Sequence, residues 1–243
     1  MTLVLRPIAA IMLSALATPA MAQDAVETEP AIVESEFDLS STISVVSDYR
    51  FRGISLSNRK PAVQASVDVE YRSGVYAGVW GSTIARYGGA RVEVDVFGGW
   101  RGSLGPADVD LGGTVYLYPG GNGVNYGEIY GFIGKSIGPA ELRAGAIYAP
   151  SQRNIGSTDN LYLTSEAWVG VPGTAVTVTG RIGYEDGAFG GPDGTKWDWS
   201  LGGEYVWKSF SLGLQYVDTD LREIHDPDRT GRAGVVASAS VEF

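Results

Sequence analysis

Three features of this 243-residue sequence predict an all-β chain folded as a transmembrane, up-and-down antiparallel β-barrel of about 12 strands. The first is a two-residue hydrophobic period. It is clearest from Pro61, where Val63, Ala65, Val67, Val69 and Tyr71 share one face and Gln64, Ser66, Asp68 and Glu70 the other. Arg72-Ser73-Gly74 then turns the chain back into a strand carrying Tyr76 and Trp80, so Pro61 to Ser82 is a hairpin with one wet and one oily face. The second feature is the spacing of the breaks, which alternate long and short. The third is composition: 34 glycines and 11% aromatics, with no helical repeat of Leu, Ala, Glu and Lys beyond the N-terminus.

The N-terminus reads as an export signal. Arg6 supplies a positive region, Ile8 to Leu16 an apolar one, and Ala20-Met21-Ala22 a small-x-small cleavage site, so residues 1–22 are expected to be removed. The apolar run is too short to cross a bilayer, and no later stretch reaches the roughly 18 apolar residues of a helical span. Gln23 to Glu36 follows as an acidic leader without periodicity, expected to be disordered on the periplasmic side, with the barrel occupying residues 37–243. Without Arg6 the chain keeps 17 basic residues (18 less one) against 28 acidic ones, a formal charge of −11, which makes nucleic acid a poor partner. Cysteine is absent, which excludes a disulfide framework, a thiolate metal centre and lipid attachment at an N-terminal Cys.

The strands follow in order. Phe37 to Tyr49 is the first, and a polar loop through Arg59 leads to the Pro61 hairpin, strands two and three. Strand four, Arg91 to Arg101, sets Val92, Val94, Val96 and Trp100 against Arg91, Glu93, Asp95 and Arg101. Strand five, Asp108 to Tyr118, sets Val109, Leu111, Val115 and Leu117 against Asp108, Asp110, Thr114 and Tyr116. Tyr126 to Ser136, Glu141 to Ala149, Leu161 to Val171, Ala175 to Tyr184, Lys196 to Trp207 and Phe210 to Asp218 come next, and a closing strand ends at Phe243. Long connections fall after odd-numbered strands and short ones after even-numbered strands. That is the pattern of external loops and periplasmic turns, and an even strand count leaves both termini in the periplasm.

A water-soluble sandwich or barrel would show the same period with its apolar face turned inward. The aromatics favour the membrane. On the oily parity, Tyr71, Trp100, Trp207, Phe210 and Phe243 lie at strand ends beside short turns, and Tyr49, Tyr148, Tyr184, Trp197 and Tyr216 beside long loops, as two interfacial girdles do. The terminal Phe243 matches the assembly signal of outer-membrane barrels.

The run Ser47-Asp48-Tyr49-Arg50-Phe51-Arg52-Gly53-Ile54-Ser55 resembles the TorF family of outer-membrane porins. So do Pro61-Ala62-Val63-Gln64, Tyr76 to Ser82, Glu93-Val94-Asp95, Tyr118-Pro119-Gly120, Glu128-Ile129-Tyr130 and Tyr216 to Asp220. Leu56 stands where the family's pattern has Gln. The resemblance implies an outer-membrane barrel of a Gram-negative bacterium with a porin role, and supplies neither a substrate nor assigned residues.

Chemistry on the barrel is sparse. His225 has no Ser near it in sequence, and a nucleophilic site needs one within hydrogen-bond reach, so an exposed loop histidine is expected and no catalytic residue is assigned. Asp218, Asp220, Asp226 and Asp228 match no EF-hand spacing and read as a solvated acidic loop; neither a metal nor a cofactor is expected. Gly98-Gly99, Gly112-Gly113 and Gly202-Gly203 lie inside strands, where barrel curvature accounts for them. Arg50, Arg52, Arg59 and Lys60 form a basic cluster at the first long loop, a place to meet lipopolysaccharide phosphates or a passing anion. The candidate pore-lining residues are Asp68, Glu70, Arg91, Glu93, Asp95, Arg101, Asp108, Asp110, Tyr116, Glu128, Arg143, Glu166, Arg181, Asp198 and Glu204. Acid exceeds base among them, so the expected function is a narrow pore for small polar solutes with a preference for cations. Its partners are outer-membrane lipid and lipopolysaccharide, with small polar or cationic solutes as cargo, and the sequence fixes no oligomeric state. A closed structural or adhesive barrel, which needs bulky paired residues in the lumen, is the main alternative, and an outer-membrane hydrolase a lesser one.

Overall fold

The computed structural model describes residues 36–221 and 229–243. The export signal, the leader before Glu36, and His225, Asp226 and Asp228 lie outside the described residues. In chain order the strands are β1 (Phe37–Val46), β2 (Arg50–Phe51), β3 (Ile54–Ser55), β4 (Ala62–Tyr71), β5 (Val75–Tyr87), β6 (Ala90–Leu104) and β7 (Ala107–Leu117). They continue as β8 (Tyr126–Ile137), β9 (Ala140–Gln152), β10 (Thr158–Gly170), β11 (Val176–Gly187), β12 (Thr195–Trp207), β13 (Phe210–Thr219) and β14 (Gly234–Glu242). β2 and β3 pair only with each other, and the other 12 form one closed antiparallel barrel in which chain neighbours are sheet neighbours. β1 closes it by pairing with β4 on one side, from Phe37 opposite Tyr71 to Val46 opposite Ala62, and with β14 on the other. Phe243 and Ser41 exchange backbone hydrogen bonds of 2.9 and 3.3 Å, which fastens the last residue to the first strand.

The barrel is inside-out. Val67, Val96, Ile129, Ile133, Leu201 and Leu212 stand 44–63% exposed on the outer wall, while the inward Glu93, Asp110 and Asp198 are 0% exposed. A soluble sandwich would reverse this, because burying carboxylates while solvating aliphatic side chains is unfavourable on both counts in water. The exterior therefore suits hydrocarbon, and closure gives each of the 12 strands a neighbour on both sides. Aromatics collect at the two rims: Phe37 on Tyr71 (5.1 Å) and Trp207 on Phe210 (6.1 Å) at the end bearing the termini, and Tyr184 on Trp197 (4.9 Å) at the far end. Tyr49 departs from this girdle. β1 ends at Val46, and Tyr49 turns into the barrel, where it is 1% exposed.

The β5–β6, β9–β10 and β11–β12 connections are shorter than the sequence suggests. β5 runs on to Tyr87 and β6 starts at Ala90, leaving Gly88-Gly89 as the whole turn, with a register irregularity between Thr83 and Tyr87. The extension holds because it has something to pack on: Ile84 packs against two buried clusters, one of which includes Tyr49 of the first loop, and Tyr87 lies against Tyr118 at 5.0 Å. Pairing also satisfies backbone groups that a free loop would leave to water.

The in-strand glycines are sockets for rings. Tyr76 lies in register with Gly99, Phe97 with Gly78, Tyr130 with Gly112 and Phe132 with Gly145. A Cβ on Gly112 would sit 2.4 Å from the Tyr130 hydroxyl and 2.6 Å from the Gly98 carbonyl oxygen, and one on Gly78 would sit 2.3 Å from the Phe97 ring. Each inward glycine thus lets an aromatic from the next strand lie flat along the wall, which adds a specific packing role to the curvature expected from sequence.

Candidate functional site in the lumen

Residues 47–61 leave β1 at the far end and fold into the barrel instead of projecting from it. Asp48 organises the segment: its carboxylate accepts from Arg50 Nε (2.6 Å) and Ser55 Oγ (2.5 Å), and the Tyr49 N–H donates to Ser57 Oγ (2.9 Å). Arg50 also donates to the carbonyls of Gly53, Thr230 and Arg232, tying the loop to the β13–β14 connection. Arg52 and Gly53 have φ of 46° and 84°, so the β2–β3 hairpin reverses through two residues of positive φ, as a type I′ turn does. The tip of that turn carries a guanidinium into the lumen.

Arg52 is 1% exposed. Its two terminal nitrogens reach Glu128 Oε2 on β8 (2.6 Å) and Glu185 Oε1 on β11 (2.7 Å), and its Cζ lies 4.6 Å from the Phe51 ring centroid and 4.5 Å from that of Tyr162. Counted round the ring of 12, β8 is five strands from β1 and β11 four, so the hairpin crosses to the opposite wall. The two carboxylates are themselves held: Tyr116 donates to Glu128 (2.8 Å), Asn160 donates to Glu185 (2.9 Å), and Lys196 pairs with Glu185. At the hairpin's base the Tyr49 hydroxyl donates to Glu93 on β6 (2.9 Å). Burial, then the Glu93 and Asp95 carboxylates, raise the Tyr49 phenol well above its ordinary range and keep it a donor.

Towards the end bearing the termini, the lumen is filled from the wall. Tyr76 bonds Asp110 and Tyr130, each at 2.6 Å, beneath Arg101, whose Cζ is 4.1 Å from the Tyr76 ring. Arg143 pairs with Glu166 (2.6 Å), Arg181 with Asp198 (2.8 Å), and Arg101 with Glu70 (3.6 Å). Tyr76 and Asp110 in this layer are at most 4% exposed, whereas Glu70, Arg143 and Arg181 keep part of their surface accessible. The pairing is incomplete: both Asp95 oxygens, Glu93 Oε2, Glu128 Oε1 and Asp110 Oδ2 are buried with no hydrogen-bond partner among the described residues.

Of the candidate lining residues, Glu93, Asp95, Arg101, Asp110, Tyr116, Glu128, Glu166, Asp198 and Glu204 are buried inside the barrel. Asp68, Glu70, Asp108, Arg143 and Arg181 are half-buried. Arg91 is exposed beside the Gly88-Gly89 turn and lines nothing. The basic mouth is not one cluster: Arg50 and Arg52 are buried and paired inside, and only Arg59 and Lys60 face solvent. Glu185 falls just beyond the strand that the sequence predicts to end at Tyr184, yet it shares its inward parity with Arg181 and Gly183, and β11 extends to Gly187. Asp218 and Asp220 serve as acceptors for Tyr216 and the Trp197 N–H, and among the described residues no group of three or more His, Cys, Asp or Glu is arranged to hold a metal ion.

Residues 30–241 match the model of a family described as a bacterial protein of unknown function, Gcw_chp. No curated protein matches the sequence. Solved structures similar to the barrel include a porin (12% identity, TM-score 0.39, covering 86% of this chain and all of that one). A loop L8 deletion mutant of OmpT, an outer membrane protein of Vibrio cholerae, gives 10% identity and a TM-score of 0.45 over 85% and 99% of the two chains. LpxR from Salmonella typhimurium gives 11% and 0.42 over 84% and 99%.

Proposed function

The chain belongs to the Gcw_chp family of bacterial proteins of unknown function, and from its plugged lumen we propose that it is an outer-membrane channel for small polar solutes, held shut by its own first loop. The observation that carries this is Arg52, 1% exposed and bound across the lumen to Glu128 and Glu185. A barrel that served only as a wall could be filled by side chains from its strands. Here a loop crosses the lumen, its tip held by the ion pairs of Arg52 and its base by Tyr49 on Glu93 and Arg50 on the β13–β14 connection. Polar attachments of this kind are ones that solute or membrane conditions are able to release. The apolar belt and aromatic rims support the outer-membrane location, and the TorF-like motifs agree with a porin-type role.

Asp68, Glu93, Asp95 and Asp110 have no ion-pair partner among the described residues, which supports a cation preference once the plug moves. The packed Tyr76–Asp110–Tyr130 layer favours the second reading, a closed structural barrel. Planar-bilayer recording separates the two. Wild-type protein is expected to be silent or to flicker, and Arg52→Ala to give stable openings. If neither the variant nor a chain lacking residues 48–60 conducts after folding, the closed barrel stands.

A further inference from the structure

We propose that the lumen wall formed by Glu128, Glu185 and Tyr162 is a guanidinium-recognition site, filled in the closed barrel by the chain's own Arg52 and open to small guanidinium-bearing solutes that compete with it. The site is legible from its present occupant. One guanidinium meets two carboxylates through separate nitrogens, at 2.6 and 2.7 Å, and Tyr162 covers its face at 4.5 Å. A planar fork with five donors suits two carboxylates spaced this way, whereas a compact ammonium has neither the spread nor the flat face for ring stacking. Tyr116 on β7 and Asn160 on β10 hold the carboxylates from the wall, independently of the loop.

The wall has acceptors that Arg52 does not use. Glu128 Oε1, Glu93 Oε2 and both oxygens of Asp95 are buried without partners, and Arg52 Nε is itself unpartnered. Asp95 is 1% exposed and stands in register with Trp80 on one side and Tyr116 on the other, so aromatic surface flanks a carboxylate that lacks a cation. Arg52 is tethered to a backbone at positive φ and reaches only part of this set. A free guanidinium carries no such tether. Displacement of Arg52 would free the hairpin tip, and this last consequence rests on the plugged-channel reading.

The test uses the full barrel carrying Arg52→Ala in detergent, with N-ethylguanidinium as probe and ethylammonium and sodium chloride at equal ionic strength as controls. The expected result is a saturable rise in melting temperature with N-ethylguanidinium, a smaller one with ethylammonium and none with salt, lost when Glu128→Gln is added. If Arg52→Ala does not fold unaided, its refolded fraction, read from heat-modifiable gel mobility, is expected to rise with N-ethylguanidinium alone. Equal responses to the three additives in either assay, or an unchanged response in the Arg52→Ala, Glu128→Gln double variant, overturn the site. Neither assay depends on conductance. Binding without any current therefore leaves the site standing and removes the channel.

Discussion

Arg52 combines two unfavourable conditions, a buried charge and a non-glycine residue at positive φ, and each is tolerable only because of its surroundings. A left-handed backbone costs such a residue roughly 1–2 kcal/mol, and a guanidinium out of water needs both carboxylates to offset its desolvation. Removing the side chain would leave Glu128 buried without a counter-charge, since Lys196 compensates only Glu185. Glycine makes the complementary point at the same scale. Gly112→Ala places a methyl 2.4 Å from the Tyr130 hydroxyl, which is hydrogen-bonded to Tyr76, and 2.6 Å from the Gly98 backbone carbonyl oxygen. It is expected to cost about 1–3 kcal/mol of overpacking, measured by urea unfolding in detergent. Gly127→Ala, whose Cβ comes no closer than 3.5 Å to a neighbour, is the control and is expected to be nearly neutral.

Among the elements, the first connection differs from the others. The 72–74, 105–106, 138–139 and 208–209 turns are two or three residues long and reverse the chain, whereas 47–61 is long enough to hold a hairpin and is organised by Asp48, which accepts from Arg50 and Ser55. Strand parity sets its side of the membrane. With the chain entering β1 from the periplasm, the 47–61 and 188–194 segments share the far end, and the 138–139 turn lies at the near one. A small epitope beside Asp193 is therefore expected to be labelled on intact cells, and one at Gly138-Pro139 only after the envelope is opened. The reverse labelling would mean that the barrel sits the other way up.

For the whole molecule, the lumen replaces the oily core of a soluble protein with a core of ions and tyrosines. Its pairs neutralise Glu70, Glu128, Glu166, Glu185 and Asp198, and the surplus that remains is acidic. Openings of the Arg52→Ala barrel are expected to show a cation-preferring reversal potential in dilute salt that fades towards molar salt, as the Debye length falls from about 10 Å at 0.1 M to about 3 Å at 1 M. Anion preference would instead assign selectivity to Arg101, Arg143 and Arg181.

The barrel, the parity of its side chains and its strand count were legible in the sequence, because period two, turn residues and rim aromatics are local properties that each strand declares for itself. Glu93, Asp95, Asp110, Glu128 and Asp198 could be assigned to the inner face on that basis alone. Their roles could not. Whether an inward carboxylate lines water or grips a buried cation depends on what crosses the lumen to meet it. That was decided by a contact between residues 76 and 133 positions apart, Arg52 with Glu128 and with Glu185. Asp48-Tyr49-Arg50-Phe51-Arg52-Gly53 reads in one dimension as a polar mouth with a terminal girdle tyrosine. Only closure of the barrel places a far wall of carboxylates within its reach, and the attraction of those charges, shielded from water, turns the loop inward.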